Sequence, residues 1–255
     1  MIPLRDDVPS RTYPFVNVTL IGLCVLAFLG ELATGDGLPR LFQQAAVIPA
    51  LFSGPDGSLG PVDVVVTSLQ PDLGLRVLVS MFLHGGWLHL LGNMLYLWIF
   101  GDNVEDRMGH ARYLAFYLVC GWAAAYGHIW SDPTSGLPSI GASGAIAGVL
   151  AAYVVLYPGA RVVTVIPLGF FFPLVQVPAL FFLGFWFLQQ FLLGSLSLAQ
   201  GPAQTGGTAW WAHIGGFLAG LALVGLFQNP RRRPPARERW WDDERYRRRR
   251  PSGGW

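Results

Sequence analysis

The 255-residue chain is 53% hydrophobic and only 13% charged, with a mean hydropathy of +0.44 and a formal net charge of +2. That composition excludes a single soluble domain, because several runs approach the roughly 20 apolar residues a membrane span requires. All the basic residues are Arg, and so small a net charge implies no nucleic-acid partner.

Residues 1–13 read as a polar cytosolic tail carrying Arg5 and Arg11, and Tyr13-Pro14 leads into a first span over 15–33. That span is long and no small-x-small cleavage pattern follows it, so it is expected to be retained rather than removed as a signal peptide. Residues 34–75, with Pro49, Pro55, Pro61 and Pro71, are too polar to span and too apolar for a free linker. They are expected to lie partly in the membrane interface. Further spans are predicted over 86–103, 113–129, 140–157, 178–195 and 209–227, with Pro167 and Pro173 placing the residues before Val177 in a broken approach segment. The fold class expected is an all-α integral membrane bundle of six helices over 14–229. The Arg-rich, Pro-interrupted residues 230–255 read as a disordered cytosolic tail that anchors topology. Contact of that tail with anionic lipid headgroups, aided by Trp240, Trp241 and Tyr246, is the alternative. Cys24 and Cys120 both fall within spans, where thiols pack as small hydrophobes, so no disulfide, metal or redox role is expected.

Six spans put both termini on one side. Arg5, Arg11, Arg107, Arg112, Arg161 and every Arg after Asn229 fall there, against Arg40 and Arg76 opposite. The positive-inside rule makes the termini cytosolic, as in a plasma membrane protein. The second, fourth and sixth spans then enter from the outer face, and each carries polar residues in its entering half: His89 and Asn93, Ser143, and His213.

The fourth span opens on Ile140-Gly141-Ala142-Ser143-Gly144-Ala145-Ile146-Ala147-Gly148. Small residues let helix backbones approach closely in lipid, so this helix is expected at the centre of the bundle. Ser143 in its first turn, among unpaired N–H groups, is a candidate nucleophile, although small-x-x-x-small spacing by itself is mostly a packing device. His213 shares a stripe with Gly216 and Gly220, so packing the fourth and sixth helices small-to-small would bring hydroxyl and imidazole within hydrogen-bond reach. No Asp or Glu lies between Asp132 and Glu238, and Asp102, Glu105 and Asp106 belong at the cytosolic end. A hydrolase built from these residues therefore uses a Ser-His dyad. His89 and Asn93, four apart on one helix face, are candidate donors to a developing oxyanion, Asn93 the better of the two. His84 lies about 140° around an ideal helix from His89, which argues against a shared metal. It reads as a rim residue holding the outer loop, and His110 and His128 read as structural.

Phe82-Leu83-His84-Gly85-Gly86-Trp87-Leu88-His89-Leu90-Leu91-Gly92-Asn93-Met94, with Gly141-Ala142-Ser143-Gly144 and Ala212-His213-Ile214-Gly215-Gly216, resembles the rhomboid family of intramembrane serine proteases. The resemblance runs from about Phe15 to Phe227 and includes Val104-Glu105-Asp106-Arg107-Met108-Gly109. It implies Ser143 as nucleophile and His213 as general base. Asn93, His89 and the Ser143 N–H would form the oxyanion site, with Gly141 in the adjacent turn. It further implies single-span protein substrates cut near or within the outer half of the span and a fifth helix that could act as a lateral gate; no cofactor or metal is expected, because the histidines do not share a face. Arg76 matches a Trp-Arg pair that family members carry in the first outer loop, but Leu75 stands where Trp would be. Ala147 stands where some members place an aromatic residue against the base, so something else must hold His213. The alternative is a non-catalytic member of the fold that binds transmembrane segments. A transporter is disfavoured by the scarcity of charge in the core spans.

Overall fold

The computed structural model describes residues 1–53, 58, 60–200 and 209–232. The tail expected at 230–255 thus lies outside the described residues beyond Arg232, and so do Trp240, Trp241 and Tyr246.

A short strand β1 (Ile2–Asp6) precedes the apolar helix α1 (Phe15–Ala33). A 3-10 turn at Gly35–Gly37 leads to four short helices, α2 (Leu38–Ala45), α3 (Ala50–Ser53), α4 (Pro61–Ser68) and α5 (Pro71–Ser80). The long helices α6 (Trp87–Met108) and α7 (His110–Ser131) follow, then α8 (Ser143–Leu156), strands β2 (Arg161–Val165) and β3 (Leu174–Pro178), and helices α9 (Ala179–Gln200) and α10 (Trp210–Phe227). The architecture is mostly helical. The helices α1 and α10, with α9 over Ala179–Leu198, are long and apolar enough to cross a membrane.

The helices assemble by small residues. Gly144 and Gly148 of α8 face Gly216 and Gly220 of α10 so closely that a methyl group on Gly216 would lie 1.9 Å from the Gly144 carbonyl oxygen, and one on Gly220 2.4 Å from that of Gly148. On its other side α10 meets α7, where a methyl group on Gly127 would fall 2.8 Å from the Trp211 carbonyl oxygen. Without side chains between them, backbones make the contact, which is how helices associate where lipid supplies no hydrophobic drive. As a result α8 is buried without exception over residues 144–153. By contrast α1 buries a single stripe, Asn17, Leu20, Cys24, Phe28 and Glu31, at helical spacing, and leaves Leu26, Leu29 and Leu32 exposed. Both cysteines are free and buried.

The end of the bundle away from Ser143 is held by polar groups. Helix α1 follows Pro14 and has no side-chain cap of its own. Instead the buried Glu105 of α6 accepts from the amides of Val16 at 3.0 Å and Asn17 at 2.7 Å, filling the role of a cap with a negative charge at the positive end of the helix dipole. Asn17 Nδ2 donates to the Leu97 carbonyl at 2.9 Å and Tyr113 donates to Asn17 Oδ1 at 2.8 Å. His110, read as structural, hydrogen-bonds through Nδ1 to Glu105, because Gly109 with φ +84° turns the chain back and returns the start of α7 to the end of α6.

The expectation of an all-α fold is corrected by a three-stranded antiparallel sheet in the order β1-β2-β3. Asp6 pairs with Val162 and Ile2 with Val165, while β2 and β3 pair from Arg161↔Pro178 to Val165↔Leu174. Thus part of the expected N-terminal tail is a strand, and the approach segment before Val177 is a hairpin. Its turn carries Gly169 at φ +63° and the exposed Phe170, Phe171 and Phe172. The sheet is joined to the bundle through Asp6, which accepts from Asn103 Nδ2 at 2.8 Å and from the Tyr153 hydroxyl. Burial pushes the Asp6 carboxyl up to about 7; the Tyr153 hydrogen bond opposes this and the Asp102 carboxylate adds to it.

At the opposite end the segment expected in the interface folds into α2–α5, and Val47, Phe52, Val64, Leu73 and Val77 pack with Ile129 of α7. Proline at the first or second position starts α2, α4 and α5, where its missing N–H costs nothing. Arg76 ties this loop together despite Leu75, donating to the Gln43 carbonyl at 2.8 Å. Val47 and Ser139 exchange backbone hydrogen bonds at 3.1 and 2.8 Å, joining the loop to the segment before α8.

Candidate active site

Ser143 is the first residue of α8, so its N–H has no partner within the helix. The preceding Gly141 has φ +124° and donates its N–H to the Ser80 carbonyl at 2.8 Å. A methyl group there would fall 2.7 Å from His89 Nε2 and 3.6 Å from Ser143 Oγ, so both the turn and the close approach of His89 need glycine. Helix α8 consequently begins three residues later than the predicted span.

His213 lies in the first turn of α10, and the glycine contact between α8 and α10 brings its Nε2 to 2.8 Å from Ser143 Oγ. The imidazole is held from the other side by α9. Its Nδ1 is 2.8 Å from Gln190 Oε1, the Trp186 ring lies 5.8 Å away tilted by 37°, and Trp210 stands edge-on at 6.3 Å. Position 147 is indeed alanine, and the ring that flanks His213 comes from α9 instead. Sequence reasoning missed Gln190 because it looked for a carboxylate to orient the base. The available signal was an amide within an apolar span, four residues after a tryptophan and therefore on the same helix face.

His89 accepts at Nδ1 from the Gly85 amide at 3.3 Å, which in the neutral ring places the hydrogen on Nε2, the nitrogen beside Gly141. Asn93, one turn further along α6, is 8% exposed, and among the described residues its Nδ2 has no hydrogen-bond partner. Both residues line a cavity of ≈ 870 Å³ together with Tyr96, Ser143, Trp186 and His213, and the exposed Trp87 and Leu88 border it. In the aromatic run of α9, Phe181 and Phe185 are exposed while Phe182 is buried and Trp186 faces the cavity.

His84 is fully buried and is not a rim residue. It precedes α6, so helix geometry does not govern it, and its ring packs 5.1 Å from that of His89. Burial, with the His89 imidazole beside it, holds its pKa down to about 4. Its N–H donates to both carboxylate oxygens of Glu31, at 3.0 and 3.2 Å. Glu31, 2% exposed at the end of α1, thus fixes the turn leading to His89, a role the sequence reading did not assign. Among the described residues no three His, Cys, Asp or Glu side chains are grouped to hold a metal ion.

The sequence model described as "Rhomboid domain" matches residues 73–229, more than half of the chain and all of the site. The chain belongs to the rhomboid family. It is 32% identical over 152 residues to a mitochondrial rhomboid protein 1 of Saccharomyces cerevisiae, covering 58% of this chain and 40% of that one. It is 46% identical over 77 residues to the rhomboid protease GluP of Bacillus subtilis, 30% of this chain and 15% of that one. A rhomboid-type serine protease 2 of Emericella nidulans is 32% identical over 127 residues, 49% of this chain and 21% of the relative. The chain therefore spans two-fifths or less of the length of these rhomboid relatives.

Proposed function

We propose that this rhomboid is an intramembrane serine endopeptidase that hydrolyses peptide bonds in or near transmembrane segments of other membrane proteins. The observation that carries the reading is the 2.8 Å approach of His213 Nε2 to Ser143 Oγ on the wall of a cavity that also receives Asn93 and His89. In the mechanism, His213 Nε2 takes the hydroxyl proton as Ser143 Oγ forms a bond to the substrate carbonyl carbon, and the carbonyl electron pair moves to oxygen. The oxyanion accepts hydrogen bonds from Asn93 Nδ2, His89 Nε2 and the Ser143 N–H. His213 then returns the proton to the leaving nitrogen as the C–N bond breaks. Water, deprotonated by the same imidazole, hydrolyses the acyl-enzyme. A helical substrate has its carbonyls already paired, so a locally unwound stretch must enter the polar cavity.

In this reading α1, α6, α7, α8, α9 and α10 are six spans, and the Arg distribution supports cytosolic termini. No cofactor takes part. A protein that only binds transmembrane segments has no use for a nucleophile, a base and two oxyanion donors on one wall. The test is to reconstitute the purified chain with a single-span substrate beside its Ser143→Ala variant: cleavage by the wild type alone is expected, and equal cleavage by both removes the reading.

A further inference from the structure

The base of the proposed dyad is oriented by a neutral amide from a third helix. Gln190 is 4% exposed on α9, and its amide is turned by a second hydrogen bond: Nε2 donates to the Trp186 carbonyl one turn earlier at 3.2 Å. That leaves Oε1 for His213 Nδ1 at 2.8 Å. An amide oxygen can only accept, so Nδ1 must carry a hydrogen, and in the neutral ring Nε2 then holds the lone pair. Nε2 is the atom that faces Ser143 Oγ. With the hydrogen on Nε2 instead, two lone pairs would meet at Nδ1 in a buried site, and Nε2 would lose its capacity to accept the serine proton. We infer that Gln190 is the positioning residue that selects the His213 tautomer able to act as base, an inference that rests on the dyad proposed above.

The residue type fits the location. A carboxylate would also select this tautomer, but a charge in a lipid-embedded helix is costly, and no acid lies between Asp132 and Glu238. An amide gives orientation without charge. It offers the forming imidazolium only a dipole, so more of the transition-state stabilisation falls to the oxyanion donors. Trp186, on the same face of α9, adds a flat wall against the ring.

The test uses the full chain, with histidine ring nitrogens labelled with ¹⁵N, in lipid bilayers. In the Ser143→Ala background, solid-state NMR should give His213 a protonated Nδ1 and an unprotonated Nε2, the resonances being assigned by their loss in His213→Asn. Gln190→Met, which keeps length and volume but removes the amide oxygen, should shift that population toward the other tautomer, and Gln190→Glu should restore it. With Ser143 present, Gln190→Met should lower kcat roughly 10- to 100-fold at unchanged KM, and Gln190→Glu should recover most of the loss. Unchanged ring resonances in Gln190→Met, or a kcat within about twofold of wild type, overturn the inference. Loss in both Met and Glu variants with an unchanged tautomer overturns it too, in favour of a packing role. The NMR measurement does not depend on turnover, so failure of the protease reading, seen as equal cleavage by wild type and Ser143→Ala, is separable from failure of this one.

Discussion

A methyl group at position 216 has no room, lying 1.9 Å from a carbonyl oxygen of the facing helix, and backbone cannot yield as a flexible side chain does. Gly216→Ala should therefore push α10 from α8, lengthen the Ser143–His213 contact and cost about 1–3 kcal/mol, as overpacking does. Thermal unfolding in detergent and cleavage of a transmembrane substrate should fall together. Asn93→Ala should separate the two quantities. Its Nδ2 is unpaired among the described residues, so removing it sacrifices no protein hydrogen bond, yet an oxyanion donor is worth roughly 10²-fold in kcat or more. A lowered melting temperature with no separate rate effect would assign Asn93 to packing. That Ser143, His213, Asn93 and His89 would be brought together was legible in the sequence, because polar groups inside apolar helices are rare and each must have a reason. Gln190 and Glu31 are polar and more deeply buried, yet Gln190 was passed over because a carboxylate was sought beside the base, and Glu31 because its partner, the His84 amide, lies 53 residues away in a turn.

Among the elements, the ends of α1 coincide with the span read from hydropathy, because an uninterrupted apolar run follows Pro14 and stops at Thr34. Elements that depend on distant partners were less visible. Strand β1 is five residues long, contains Pro3, and pairs with β2 more than 150 residues away, so it leaves no period to read. In β2 the alternation of buried Val162 and Thr164 is present but sits between apolar runs that obscure it. The junction of this sheet with the bundle should respond to pH through Asp6. Its carboxyl sits near 7 in the folded protein, above the unfolded value of about 3.9, so between these limits the folded state holds the extra proton and loses stability as pH rises. Asp6→Asn removes that dependence while keeping an oxygen for Tyr153 and Asn103. Its gain in melting temperature over the wild type should be small near pH 4 and grow through pH 7. A difference independent of pH would place the Asp6 titration elsewhere.

For the whole molecule, the proposed orientation rests on where the arginines lie, and the cysteine inventory makes it measurable. Cys24 and Cys120 are buried, so a new cysteine at an exposed position is the one a maleimide reaches. In sealed cells a membrane-impermeant maleimide should label Thr134→Cys, in the segment before α8, and spare Arg231→Cys until the membrane is opened. Labelling of both from outside contradicts cytosolic termini. Depth follows from length. The 14 residues of α8 rise about 21 Å, against roughly 30 Å of hydrocarbon, so a helix whose C-terminus reaches the cytosolic boundary leaves Ser143 some 9 Å below the outer one. The predicted span of 140–157 hid this, because hydropathy does not register that Gly141 breaks the helix.

The pairing of β1 with β2 also sets an order of events during synthesis. Residues 2–6 leave the ribosome well before residues 161–165, against which they hydrogen-bond, which are translated on the order of 10 s later at ordinary elongation rates. Until then α1 must hold its place in the nascent bundle without the sheet, and closure of the strands marks the moment when the chain up to α8 has been delivered.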